Sequence, residues 1–476
     1  MEKKIVIIGC GSSGIACAIT LIKNGIKGSN ITILEKGKLI EKRKCFVTSD
    51  TPCKKCKTCS IVHGCGGSGS FSDSKLNWDT TGRIGGDMAE LMTEDEIEQY
   101  LEKTYDMYKD FGIEDFDIET CGIDYTEEGQ KIVDLIKSNP RLDIGECATT
   151  HLGSENSRII YKRMIDYLIE NGVHILANTE IEEVDSVRKK VYVKGFSDTR
   201  LYFDYDKLVV AMGRSGNKLV KEICDNNNIK YKNGEVQMGV RVECPNKIME
   251  RLNKNFYELK TYFTSSFGDT CRTFCVNPSG FVTIESYPYE DKKLFCANGH
   301  AYKNRKSDNT NFAILVSRHF NGDMESPLRN YVYPLTLAVN SLGNGSVIIQ
   351  SLKDIKLKRR STDNRIKELD IVPTAKAYAG DLMSAMPYRT IQSILEFIEE
   401  LDKTIIPGLN GDNTLLYGLE IKLCSNKVLI DKYGKSSNEN IYFIGDNSGY
   451  CRGLTTACSM GIACGEDIIK RSDKNE

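Results

Sequence analysis

Three glycines at G-x-G-x-x-G spacing, Gly9-Cys10-Gly11-Ser12-Ser13-Gly14, form a pattern that can bring backbone N–H groups against a dinucleotide diphosphate. Gly9 suits a tight turn. Gly11 lets the backbone approach a pyrophosphate, and Gly14 permits close packing of helix on strand. Ser12 and Ser13 lie in the turn before the helix that begins at Ile15, whose first N–H groups and partial positive charge face the phosphates. Glu35 lies 21 residues beyond Gly14 and is followed by Lys36; at the end of a second strand its carboxylate can accept hydrogen bonds from a ribose diol.

These residues need a frame, and the sequence supplies one. Ile5-Val6-Ile7-Ile8 is a β-branched run suited to a parallel strand buried on both faces. Ile15 to Gly25 has the wide apolar face of a helix and an Asn-Gly stop. Ile31-Thr32-Ile33-Leu34 is a second strand that ends at Glu35. The glycine spacing alone is weak, but strand, glycine turn, helix, strand and acid in register predict a bound dinucleotide.

The carboxyl end indicates which dinucleotide. Asn440 to Ile444 is another buried strand, followed by Gly445-Asp446, then a loop through Gly453 and a helix from Leu454-Thr455 to about Lys470. This layout resembles the second fingerprint of FAD-binding oxidoreductases. The resemblance implies that Asp446 contacts the ribitol and that the helix N-terminus, with Gly453, Leu454 and Thr455, faces the pyrimidine edge of the flavin. A reduced flavin is anionic there, which a helix N-terminus stabilises. Ala457, Gly461 and Gly465 recur every four residues, leaving a bare helix face for close approach to the sheet or the cofactor. Between the ends, a helix over 158–171, a strand over 173–177, a meander over 180–205 and a strand ending in Ala211-Met212-Gly213 resemble flavoproteins with a single Rossmann domain.

Cys53, Cys56 and Cys59 form a C-x2-C-x2-C run, the spacing that lets three thiolates cap adjacent irons of a [4Fe–4S] cluster. Cys45 or Cys65 would supply a fourth ligand. Four thiolates also suit zinc, and clustered cysteines can act as a redox-active thiol set. Close behind comes Gly64-Cys65-Gly66-Gly67-Ser68-Gly69, where Gly66 and Gly67 would let the backbone pass under a flavin.

Cys53-x2-Cys56-x2-Cys59 leading into Gly64–Gly69, Ser70, Phe71, Ser72, Asp73, Ser74 and Lys75 resembles bacterial FAD-dependent dehydrogenases. That family carries a Gly-Gly-Ala-Gly-x-Phe-Ser-Asp-Gly-Lys signature, and Ser68 and Ser74 depart from it. The likeness continues through His151–Asn156, Gly213–Gly216, Met238–Glu243, Arg272–Cys275, Asn298–His300, Asn311–Ala313 and Gly445-Asp446. It implies fold, FAD and oxidoreductase chemistry, and no substrate. The expected fold is α/β: a discontinuous Rossmann-type FAD-binding domain over 1–79, 141–221 and 431–476, a helical insertion over 80–140, and a β-rich α+β substrate domain over 222–430. Within it, Thr93-x-x-Glu96 is a capping box that opens a helix over 97–111, and 382–401 is expected to be helical.

The chain has 476 residues, 18 cysteines and a formal net charge of −2, with a pI of about 6.3. That balance argues against a nucleic-acid partner. The apolar run before Gly9 is too short for a signal peptide, and no stretch approaches the roughly 20 apolar residues of a membrane span, so the chain reads as cytoplasmic. His151, His300 and His319 are acid–base suspects. Cys451 could be an activated thiol, and Arg241, Arg272, Tyr388 and Arg389 could orient a substrate. Each of these is more readily a packing or ion-pair residue, and none is assigned as catalytic. The expected activity moves a hydride or electron pair between flavin and an organic small molecule. Electrons would come from NAD(P)H, from a ferredoxin-like donor or from the substrate, with an iron–sulfur relay if the cysteines hold one. The alternative is an electron-transfer or redox-sensing flavoprotein that works with a protein partner.

Overall fold

A computed structural model describes residues 3–45, 56–71, 74–116, 120–121, 125–195, 200–256, 259–289, 292–301, 305–318, 320, 328–423 and 425–473. The chain divides into two units. The first comprises Met1–Thr120, Cys147–Gly234 and Ser425–Glu476, and the second Cys121–Glu146 and Glu235–Cys424. The stretch 80–140, expected as one helical insertion, is therefore shared: 80–120 belongs to the first unit and 121–140 to the second.

The elements that matter in the first unit are β1 (Ile5–Ile8), α1 (Ser12–Lys23), β2 (Ile31–Leu34), α2 (Glu94–Asp110), α3 (Gly153–Glu170), β3 (His174–Leu176), β4 (Lys207–Val210), β5 (Ile441–Phe443) and α4 (Leu454–Asp473). The five strands make one parallel sheet in the order β5-β4-β1-β2-β3. Every residue of β1 and β5 is buried, as a strand covered on both faces requires, and this is why both read as unbroken apolar runs. The last strand in the chain joins at one edge, so the carboxyl end closes a sheet begun at the amino end. This is the Rossmann-type arrangement expected.

The bare face of α4 packs against α1. A Cβ on Gly461 would collide with the Ser13 carbonyl, and one on Gly465 would stand 2.9 Å from Thr20 Cβ. The four-residue repeat thus serves helix–helix contact along most of its length, in place of the expected approach to sheet or cofactor; Ala457 alone of the three lines the cavity described below. On its other side α4 meets α2, where Thr104 and Ser459 hydroxyls lie 2.9 Å apart and Lys103 pairs with Glu466 at 2.6 Å. The capping box at Thr93 and Glu96 is formed.

The second unit is built on an eight-stranded sheet, antiparallel except at one edge, with Val236–Pro245 between Leu415–Leu423 and Asn309–Arg318. Alternation along Val236–Pro245 sends Met238, Val240 and Val242 to one face and Gln237, Arg241 and Glu243 to the other. Helix Tyr388–Thr404 belongs to the apolar cluster of this unit, with Phe397 stacked on Phe263 at 5.0 Å. The helix expected over 382–401 is interrupted. Leu382–Ser384 is a single tight turn, and Pro387 separates it from the helix that begins at Tyr388, because the residue before a proline disfavours helical backbone.

Candidate functional site

The parallel sheet of the first unit ends at a cavity of ≈ 660 Å³, within the roughly 300–1,000 Å³ of small-molecule and cofactor pockets. Gly9, Gly11, Ser12, Ser13, Glu35, Lys36 and Gly67 line it from the first part of the chain; Asp446, Gly453 and Leu454 line it from the last. Gly14, Gly66, Gly445 and Thr455, also expected to hold the cofactor, do not line it. Gly14 and Gly445 shape the turns behind it, Gly66 donates its N–H to the Cys10 carbonyl at 2.7 Å, and Thr455 turns away to the Asn77 carbonyl at 2.6 Å.

The glycine turn is built as its spacing requires. Gly9 has φ +107°, and a Cβ there would stand 2.6 Å from the Ala211 carbonyl oxygen of the strand alongside. No side chain caps α1, and its first turn carries no acid. The first turn of α4 carries none either, whereas α2, away from the cavity, has Glu94, Asp95 and Glu96. Acids stabilise a helix N-terminus by about 0.3–1 kcal/mol, so the two helices that open onto the cavity leave that position for an anion from outside. The Ser12 hydroxyl is 2.5 Å from the Tyr161 hydroxyl, itself 2.9 Å from that of Tyr108; Ser12 offers a ligand its backbone N–H.

Glu35 is 7% exposed, and its carboxylate organises the first wall. Oε2 accepts from the Cys10 N–H at 2.9 Å; Oε1 accepts from Gly37 N–H at 2.8 Å and Gly64 N–H at 2.9 Å. Lys36 is 2.9 Å from Glu180, which also pairs with Lys194 at 3.2 Å. The hydrogen bond from Lys36 holds the Glu180 carboxyl below its ordinary range.

Two residues that sequence reasoning passed over hold the walls. Arg43 is fully buried and donates to the carbonyls of Ser60 at 2.9 Å, Ile61 at 2.9 Å and Cys65 at 2.7 Å, and to the Ser70 hydroxyl at 2.9 Å. Its guanidinium also lies 4.1 Å from the Phe71 ring centre. Burial lowers its pKa to about 10, so it is cationic at neutral pH and ties the glycine loop to the segment that follows β2. On the other wall Asp87 makes a forked pair with Arg452 at 2.7 and 3.0 Å, fixing the loop before α4. His63 also lines the cavity. A lone histidine in a loop carries no sequence signal.

The cysteine expectation stands apart. Cys53 lies outside the described residues. Cys45 and Cys56 are exposed and Cys59 half-buried, and among the described residues no three His, Cys, Asp or Glu stand together as metal ligands. Cys65, the other candidate fourth ligand, is buried. Cys451 lines the cavity, and burial pushes its thiol well above the ordinary value, which favours a packed thiol over an activated one. In the second unit, Arg241 is buried against Glu420 at 2.6 Å, Arg272 donates to Gln237 at 2.6 Å, and Arg389 pairs with Asp269 at 2.7 Å. Tyr388 is 69% exposed. The three arginines are thus engaged in internal pairing. His319 lies outside the described residues, and no described helix is long and apolar enough to cross a membrane.

The chain is 24% identical over 501 aligned positions, covering 99% of it and 82% of the relative, to an "Uncharacterized protein" of Clostridium beijerinckii. It is 36% identical over 89 residues, 18% of this chain and 20% of the other, to an "NADH oxidase" of Lactococcus lactis subsp. cremoris. Among solved structures, a 2-methyl-3-hydroxypyridine-5-carboxylic acid oxygenase mutant aligns over 99% of this chain and 83% of that one, with a TM-score of 0.34 and 10% identity. A point mutant of the E. coli quinol fumarate reductase FrdA aligns over 100% and 71%, with a TM-score of 0.40 and 11% identity. Residues 235–422, nearly the whole second segment of the second unit, match the family described as FAD-dependent protein, C-terminal domain-like.

Proposed function

We infer that the protein is an FAD-dependent oxidoreductase that exchanges an electron pair with a small organic substrate. The observation that carries this is the meeting of the two ends of the chain on one cavity, with Gly9–Ser13 and Glu35 on one wall and Asp446 with the start of α4 on another. A nucleotide diphosphate and its ribose need only the first wall. The second helix N-terminus and a second carboxylate suit a ligand with a further hydroxylated arm and a ring that becomes anionic on reduction, as FAD has and an adenosine mononucleotide lacks. The family match over 235–422 supports the same cofactor from a different part of the chain.

When bound, the isoalloxazine would supply the hydride or electron-pair chemistry. The chain's residues would do the rest. The N–H groups at the start of α1 would take the diphosphate, Glu35 would accept from the adenosine ribose, and Asp446 from the ribitol. The acid-free start of α4 would stabilise negative charge on the reduced ring. Arg43 and the Asp87–Arg452 pair would hold the walls in register. The short likeness to an "NADH oxidase" makes NADH the first donor to try. Nothing among the described residues supports an iron–sulfur relay.

The test is the absorption spectrum of the purified chain, with mass spectrometry of whatever heat releases from it. A flavin spectrum, FAD and no FMN in the released fraction, and anaerobic bleaching by NADH or dithionite are expected. A colourless protein that takes up no added FAD contradicts the reading.

A further inference from the structure

We propose that His63 is a recognition residue for the adenosine half of the bound dinucleotide, its imidazole pairing with the ribose hydroxyl that Glu35 cannot take. The proposal rests on the cofactor reading above and extends it. A carboxylate has about four acceptor positions. Three on Glu35 are filled by the Cys10, Gly37 and Gly64 N–H groups, so one remains for a diol that presents two hydroxyls.

His63 precedes Gly64, whose N–H ties that stretch of backbone to Glu35 at 2.9 Å. The histidine therefore lines the cavity next to the acid. Both of its ring nitrogens are buried and make no hydrogen bond of normal geometry among the described residues, with the Cys59 carbonyl near the ring favouring its protonated form. Native proteins rarely leave buried polar atoms unpaired without a ligand or water to meet them. The charged groups facing the ring are Lys36, Glu35 and Arg43; burial first, then Lys36, lowers its pKa. A neutral imidazole has one N–H and one lone pair, so one nitrogen can accept from a hydroxyl while the other donates.

The test uses the full chain stripped of flavin and titrated with FAD, with ADP, and with the ADP analogue whose ribose lacks both ring hydroxyls. The ratio of the two ADP dissociation constants reads the diol contacts, and because it is taken within each variant a general loss of stability cancels. His63→Ala is expected to lower that ratio about fivefold to tenfold and to weaken FAD binding. His63→Gln, which keeps a donor and an acceptor, is expected to recover part of both, and provides a second variant for the same comparison. A ratio equal to that of the wild type in both variants, with wild-type FAD binding intact, overturns the proposal and leaves the cofactor reading standing. A wild-type chain that binds neither FAD nor ADP overturns both.

Discussion

Gly445, two residues beyond β5, has φ +72° and ψ −160°, a region that only glycine enters at little cost. A Cβ at this position would run into the Ser13 hydroxyl and stand 3.2 Å from Ser13 Cβ. Gly445→Ala therefore carries two separable penalties, about 1–3 kcal/mol for the backbone and a further 1–3 kcal/mol or so for overpacking. Against a total stability of about 5–15 kcal/mol, their sum is large. Ser13→Ala removes the hydroxyl and should relieve only the second penalty, so the double variant is expected to recover about 1–2 kcal/mol of what Gly445→Ala loses. Trp78 is the chain's one tryptophan and lies in the first unit. Its fluorescence during denaturant unfolding of the flavin-stripped chain reports the relevant transition, and FAD titration reports the site. If the two substitutions add to within about 0.5 kcal/mol, or Gly445→Ala unfolds like the wild type, the chain's two ends do not touch as described.

Glu35→Gln presents an amide NH2 to the Cys10 N–H and weakens two charge-assisted bonds. It should cost about 2–3 kcal/mol and weaken FAD at least tenfold, by unfolding and flavin titration; a variant equal to the wild type in both counts against the wall as drawn. Asp87 is pushed up by burial but pulled further down by Arg452 and Lys427, to below its ordinary value of 3.8. Its folded pKa lies under its unfolded one, so its contribution is complete above the ordinary value and is lost as pH falls through the folded value. Asp87→Asn should flatten that acid limb of the wild-type stability curve, and an unchanged slope would contradict it. In the second unit, Arg241→Met strands Glu420 and should cost about 3–5 kcal/mol, while Arg241→Met with Glu420→Leu should return close to wild-type stability; thermal unfolding distinguishes the two.

The parts of the site legible in the sequence were those set by backbone requirement. The Gly9–Gly14 turn, β1 and β2, and Gly445-Asp446 before α4 show themselves because few residue types satisfy a left-handed turn or a doubly covered strand. Residues that act through long-range hydrogen bonds left no such trace. Arg43 looks like one more lysine-rich loop residue until the chain folds and its guanidinium meets carbonyls some 17–22 residues on. His63 matters for what it does not pair with, which only a folded structure reveals. Periodicity also over-reached: the small-residue face of α4 was visible, but its partner is α1, and apolar spacing through 382–401 concealed the break at Pro387.

A crystal structure of the chain with FAD bound tests the central claim most directly. The diphosphate is expected at the N–H groups of Gly11–Ser13, the adenosine ribose at Glu35, and the ribitol beside Asp446 with the ring at the start of α4. FAD bound elsewhere, or held by one end of the chain without the other, would contradict it.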